Sequence, residues 1–78
     1  MLNFSYNGRQ FRALEGLAYW AQEEAWTVER YGEQATDLPR LRENMRDSFK
    51  GCDAAGVPMW VQNTVSEFGH DWRRYMST

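Results

Sequence analysis

The sequence predicts a mostly helical α+β domain: an N-terminal β-hairpin followed by a bundle of three helices. Three observations carry this. Asn7-Gly8 sits between short runs of alternating apolar residues, three later runs repeat apolar residues at helical spacing, and Gly32, Gly56 and Pro58 separate those runs. The chain has 78 residues, a length that makes one domain spanning 1–78.

Residues 2–13 read as the hairpin, because Asn-Gly suits a two-residue turn in which both positions need φ > 0. That turn would pair Tyr6 with Arg9, Phe4 with Phe11 and Leu2 with Ala13. It would place Leu2, Phe4, Tyr6, Phe11 and Ala13 on one face for the helices to cover. Residues 14–31 read as the first helix, with Leu14, Leu17, Ala21, Ala25 and Val28 in one stripe and Gly32 just past its end. Trp20 and Tyr31 fall on one flank of that stripe, Tyr19 and Trp26 on the other. Residues 37–55 read as the second helix. Thr36 or Asp37 caps it, Pro39 lies in its first turn, and its stripe is Leu38, Leu41, Met45, Phe49 and Cys52. Gly56 ends it. Residues 59–76 read as the third helix, entered at Pro58, with Val61, Val65, Phe68, Trp72 and Tyr75 at steps of 4, 3, 4, 3. Gly69 inside this run costs about 1 kcal/mol relative to Ala, and marks either a kink or the close approach of a neighbour.

Composition excludes several classes. Net charge is −2, so the basic footprint of a general nucleic-acid or anionic-membrane binder is missing. Residues 1–34 hold three positive and five negative side chains, and the remainder balances. Cys52 is the single cysteine, so no internal disulfide forms and a reducing, cytoplasmic setting is expected. No apolar run approaches the ~20 residues of a membrane span, and the N-terminus lacks the basic flank and apolar core of a signal peptide. The chain reads as a complete small gene product.

The candidate functional residues are aromatic and basic. The chain carries four Trp, four Tyr and four Phe. Phe4, Phe11, Phe49, Phe68, Trp72 and Tyr75 have core assignments. Trp20, Trp26, Trp60, Tyr19 and Tyr31 lie on helix flanks, where they either complete the core or anchor a partner. Arg42, Arg46 and Lys50 share one face of the second helix. They serve either as a contact row or as ordinary surface pairs with Glu43, Asp47 and Asp53. An acidic side of the first helix, built on Glu15 and Glu29, is its counterpart. His70 projects away from the core stripe and Cys52 into one, so no nucleophilic pair and no metal set is expected, and no catalytic residue or cofactor is assigned. Gly56-Val57-Pro58 superficially suits a helix–turn–helix. However, the next helix opens with Met59, Trp60 and Val61 rather than polar or basic residues.

The segment Val57-Pro58-Met59-Trp60-Val61-Gln62-Asn63, continuing to Trp72-Arg73-Arg74-Tyr75, resembles the tail of small proteins from bacteriophages and other mobile elements. The chain is similar in kind to the anti-CRISPR proteins, which inhibit a host nuclease complex by covering a surface. The resemblance is one of type and carries over no functional residue. It implies a non-enzymatic inhibitor in the cytoplasm of a bacterial host, binding a larger host complex. The expected contact residues are Trp26, Trp60, Arg42, Arg46 and Arg73. Direct nucleic-acid binding and membrane association are not expected. The alternatives are a small dimeric DNA-binding regulator and a homo-oligomeric module paired through the hairpin edge.

Overall fold

The structure, a computed structural model, describes residues 2–77. Helix α1 runs Gly8–Tyr31, α2 Leu38–Ala54 and α3 Met59–Phe68, and a 3₁₀ segment follows over Gly69–Tyr75. Two two-residue strands, β1 (Leu2–Asn3) and β2 (Met76–Ser77), pair in parallel and bring the two ends of the described chain together.

The N-terminal hairpin is absent. Among the described residues, the parallel β1–β2 ladder is the sole strand pairing, so the fold is helical rather than α+β. The reason lies in the residues that suggested the turn. Asn7 has extended backbone (φ −93°, ψ 179°) and is the N-cap of α1. Its Oδ1 accepts from the Gln10 amide at 2.8 Å, while the Asn7 amide donates to Gln10 Oε1 at 3.0 Å. This reciprocal capping box satisfies two polar groups that a bare helix start would leave open. The helix thus begins six residues before the predicted Leu14, and Gly8 is its first residue rather than a turn position. With the hairpin goes the edge on which the homo-oligomeric alternative relied.

The apolar grouping of the expected hairpin survives on a different backbone. Phe4, Tyr6, Phe11 and Ala13 still pack against the core, whose buried members include Leu14, Leu17, Ala18, Cys52, Val57, Val61, Val65 and Trp72. On α1, Ala25 is exposed, contrary to the predicted stripe, and Thr27 is buried instead.

Helices α1 and α2 run antiparallel, as two contacts require. Gln10 Nε2 donates to the Ala55 carbonyl at 3.2 Å near one end, and Arg42 Nε donates to Glu24 Oε2 at 3.0 Å toward the other. Asp37 occupies the N-cap position of α2 without a side-chain capping bond, Pro39 lies in the first turn, and Leu38, Leu41 and Cys52 are buried. The helix closes in a Schellman motif: Val57 N–H donates to the Cys52 carbonyl and Gly56 N–H to that of Asp53, both at 3.0 Å. Gly56 supplies the φ of +81° that this closure needs.

The predicted third helix stops early. α3 ends at Phe68, and Gly69 takes φ +59°, ψ −133°. The helix breaks at Gly69, the first of the two alternatives this glycine offers, and a Cβ there would meet the side-chain oxygen of Gln22. From here the chain doubles back. Residue 60 packs beside Phe4, residue 69 meets Gln22, and residue 72 returns to Tyr6 and Phe11. The reversal buries Trp72 completely but leaves Tyr75, assigned to the core by periodicity, exposed and stacked on Phe68 at 4.0 Å.

Candidate functional site

The reversal at Gly69 determines where the surface opens. The third layer stops level with Gln22, whereas α1 continues to Tyr31. Beyond Gln22, α1 and the start of α2 form a two-layer ribbon, and the turn between them encloses a groove of about 560 Å³. Trp26, Thr27 and Tyr31 line it from α1, Leu41 from α2, and Glu23 and Asp37 supply carboxylates.

Trp26 and Tyr31 are 48% and 58% exposed, and their rings meet edge to face at 6.1 Å. The Arg30 guanidinium lies 5.2 Å from the Trp26 ring and 5.9 Å from the Tyr31 ring, within cation–π range of both. Arg30 is not part of the groove lining, so it braces the rings from outside. Arg40 does line the groove, and its Nη2 donates to Asp37 Oδ2 at 3.4 Å.

The five expected contact residues do not share one face. Trp60, 43% exposed, lies at the other pole, its ring 6.2 Å from Phe4 in a T-shaped contact. Gln10, whose bond to Ala55 marks that pole, is 16 residues from Trp26, or about 24 Å along the helix axis. Arg42 is engaged within the molecule. Nη2 donates to Glu33 Oε1 at 2.8 Å and Nε to Glu24, and these bonds, Glu33's first, raise its pKa above the ordinary arginine value. Arg46 reaches Glu43 at 3.5 Å, one turn away. Arg42 and Arg46 flank a shallower groove of about 300 Å³ with Met45 and Phe49. Both are exposed and salt-screened, so as ion pairs they contribute little. Arg73 donates to Glu15 at 3.4 Å and lies over the Phe11 ring at 5.4 Å, while Glu15 also accepts from the Trp72 indole N–H at 2.9 Å. Arg73 therefore covers the closed end of the core.

Of the five flanking rings, Trp20 is half-buried and meets Tyr19 edge to face at 4.8 Å; Tyr19, Trp26, Tyr31 and Trp60 remain exposed. What sequence reasoning missed at the groove is Thr27 and Leu41. Thr27 is polar within an apolar environment, and Leu41 has the spacing of an ordinary core leucine. Only the α1–α2 register brings them to one cavity.

Chemistry at other positions is limited. Cys52 is fully buried, and its thiol is pushed up to about 11, first by burial and then by the charge of Asp53, so it is a protonated thiol at neutral pH. His70 is exposed beside Tyr19, with ring centroids 6.4 Å apart. Among the described residues, no three His, Cys, Asp or Glu side chains form a group that could hold a metal ion. Nor, among them, is any helix long and apolar enough to cross a membrane. Comparison with family models, with curated proteins and with solved structures found no match.

Proposed function

We propose that this protein is a non-enzymatic binding protein that acts by covering a surface of a larger protein assembly. The observation that carries this reading is the exposed Trp26–Tyr31 pair walling a 560 Å³ groove at the uncovered end of α1 and α2. Large amphipathic rings held rigid by a neighbouring pair and a braced cation contribute contact area at low entropic cost, as interface anchors do. Trp60, with Met59 beside it in sequence and also exposed, forms a second and smaller candidate contact at the opposite pole.

The narrower form of the proposal is an inhibitor of the anti-CRISPR kind, acting on a nuclease complex in the cytoplasm of a bacterial host. It is supported by the resemblance of type, together with the exposed aromatic groups at both poles. The DNA-binding alternative gains no comparable support: α3, the helix that would enter the major groove, carries neither Lys nor Arg.

The test of the broader reading uses Trp26→Ala and Trp60→Ala, each checked for native helicity, in affinity capture from a lysate of the source cell. Loss of capture by about tenfold or more in at least one variant is expected, the behaviour of an interface anchor. Undiminished capture by both folded variants would remove the reading. The narrower form is tested by expressing the chain in cells that carry an active CRISPR nuclease complex and challenging them with a targeted phage. Plating efficiency is expected to rise, and no rise would reject it.

A further inference from the structure

Two nearby positions of α3 are filled against the usual preference. Gln62, a polar side chain, is completely buried, while Trp60, two residues before it, is exposed. A buried polar group and an exposed large ring are the two placements that burial of apolar surface opposes. At about 100° per residue the two side chains lie about 200° apart around the helix. Val61 lies between them and is buried. Turning α3 about its axis by one residue would carry Trp60 into the place of Val61 and Val61 into the place of Gln62. Gln62 would then take the exposed place of Asn63. At these places the exchange favours burial of apolar surface, so another force sets the observed rotation.

The Gln62 amide supplies that force. Nε2 donates to Asp53 Oδ1 at 2.7 Å, in the last turn of α2, and to the Val57 carbonyl at 2.9 Å, in the turn that follows. Val57 is itself fixed, because its N–H is held by the Cys52 carbonyl at 3.0 Å. The amide cannot be reversed, since its oxygen would then face a carboxylate and a carbonyl. This orientation leaves Oε1 buried and without a donor among the described residues. An unpaired buried acceptor costs stability, so the amide contributes direction more than stability. The other side-chain hydrogen bonds of α3, Thr64 to the Trp60 carbonyl and Ser66 to the Asn63 carbonyl, stay within the helix and would rotate with it.

We propose that Gln62 is a rotational lock. Through Asp53 and Val57 it fixes the face that α3 turns to the core, and so keeps Trp60 at the surface. A single buried polar side chain sets register between packed helices in the same manner, at a cost in stability. As a statement about the fold the lock stands alone. Its purpose, the presentation of Trp60 to a partner, rests on the contact function proposed above.

The test compares Gln62→Leu, Gln62→Met and Asp53→Ala with wild type by NMR in the presence of a soluble gadolinium chelate, which broadens the resonances of exposed groups. In wild type the Trp60 ring resonances are expected to be attenuated and those of Trp72 spared. In the two Gln62 variants the observed and turned rotations become comparably populated, and attenuation at Trp60 is expected to fall about twofold. Asp53→Ala removes one of the two bonds at an exposed position and is expected to lower it by less. Unchanged attenuation at Trp60 in a folded Gln62 variant would overturn the proposal. If neither Gln62 variant folds, Asp53→Ala decides: lowered attenuation upholds the lock and unchanged attenuation overturns it. The two readings fail separately. Unchanged attenuation removes the lock and leaves the contact function standing. Capture preserved by both tryptophan truncations removes the contact function and leaves the lock, which is read without a partner.

Discussion

At the pole where the chain begins and ends, Tyr6, Phe11 and Trp72 pack together and Trp60 alone of the tryptophans there stays exposed; at the pole where α1 turns into α2, both rings of the Trp26–Tyr31 pair face water. The first pole holds Tyr6, Phe11 and Trp72 within 6.1 Å of one another by ring centroid, with the Trp72 indole N–H satisfied by Glu15. The second holds Trp26 and Tyr31, each about half exposed, in a pair overlain by the Arg30 side chain. The composition of the two is similar, and what differs is the number of layers. The segment after Gly69 returns to the first pole and supplies a third layer there, and so withholds one from the second. Aromatic content alone therefore does not separate core from contact surface in a chain this small, whereas the path of the segment after Gly69 does.

The sharpest way to break this contrast is to remove the ring that closes the first pole. Trp72→Ala is expected to cost about 3–5 kcal/mol, the range for deleting a fully buried large aromatic, which is most of the stability of a domain of this size. Thermal unfolding by circular dichroism should show loss of a cooperative transition near room temperature. A cooperative melt close to wild type would mean that the first pole is not the core. Gly69→Ala attacks the reversal itself. The positive φ opposes a Cβ, while the exposed end of the Gln22 side chain can swing aside, and a loss of about 1–3 kcal/mol is expected in urea unfolding. An unchanged midpoint would show that the chain does not turn there.

Asn7→Ala tests the capping box and is expected to cost about 1 kcal/mol, with faster amide exchange at Gln10. Insensitivity at Gln10 would put residues 8–13 outside the helix. The smallest effect on stability belongs to the second pole. Trp26→Ala is expected to stay within about 0.5 kcal/mol of wild type while losing partner binding. A large destabilisation would make Trp26 a core residue and erase the contrast.

The second helix and the start of the third were legible because their apolar stripes and their Gly and Pro boundaries are local signals. The start of α1 carried a legible signal that a stronger one masked. Phe11 continues the steps of Leu14, Ala18 and Ala21 backwards at 3, 4 and 3, and Asn7 with Gln10 spells a capping box, yet Asn-Gly also spells a hairpin turn. A helix long enough to bury this stripe outweighs two short strands with no third strand to join. The end of α3 was legible only in part. Gly69 reads as a bend or a close approach, but the direction taken after it follows from the packing of Trp72 on Tyr6 and Phe11, more than 60 residues away, and Tyr75, at helical spacing in the sequence, falls in the 3₁₀ segment and is exposed. At the candidate site, Trp26 stood out by its position on a helix flank, while Thr27, Leu41 and the internal use of Arg42 required the register between α1 and α2.

The two-residue ladder joining Leu2–Asn3 to Met76–Ser77 has a mechanical meaning. Because the strands are parallel, tension applied between the two ends loads their hydrogen bonds in shear, so that they must yield together rather than peel singly. Both ends also emerge at the same pole, about 35 Å along α1 from Tyr31. A copy anchored to a bead, a chip or a fusion partner by either end would hold its Trp26 groove outward, like a cup at the end of a short handle.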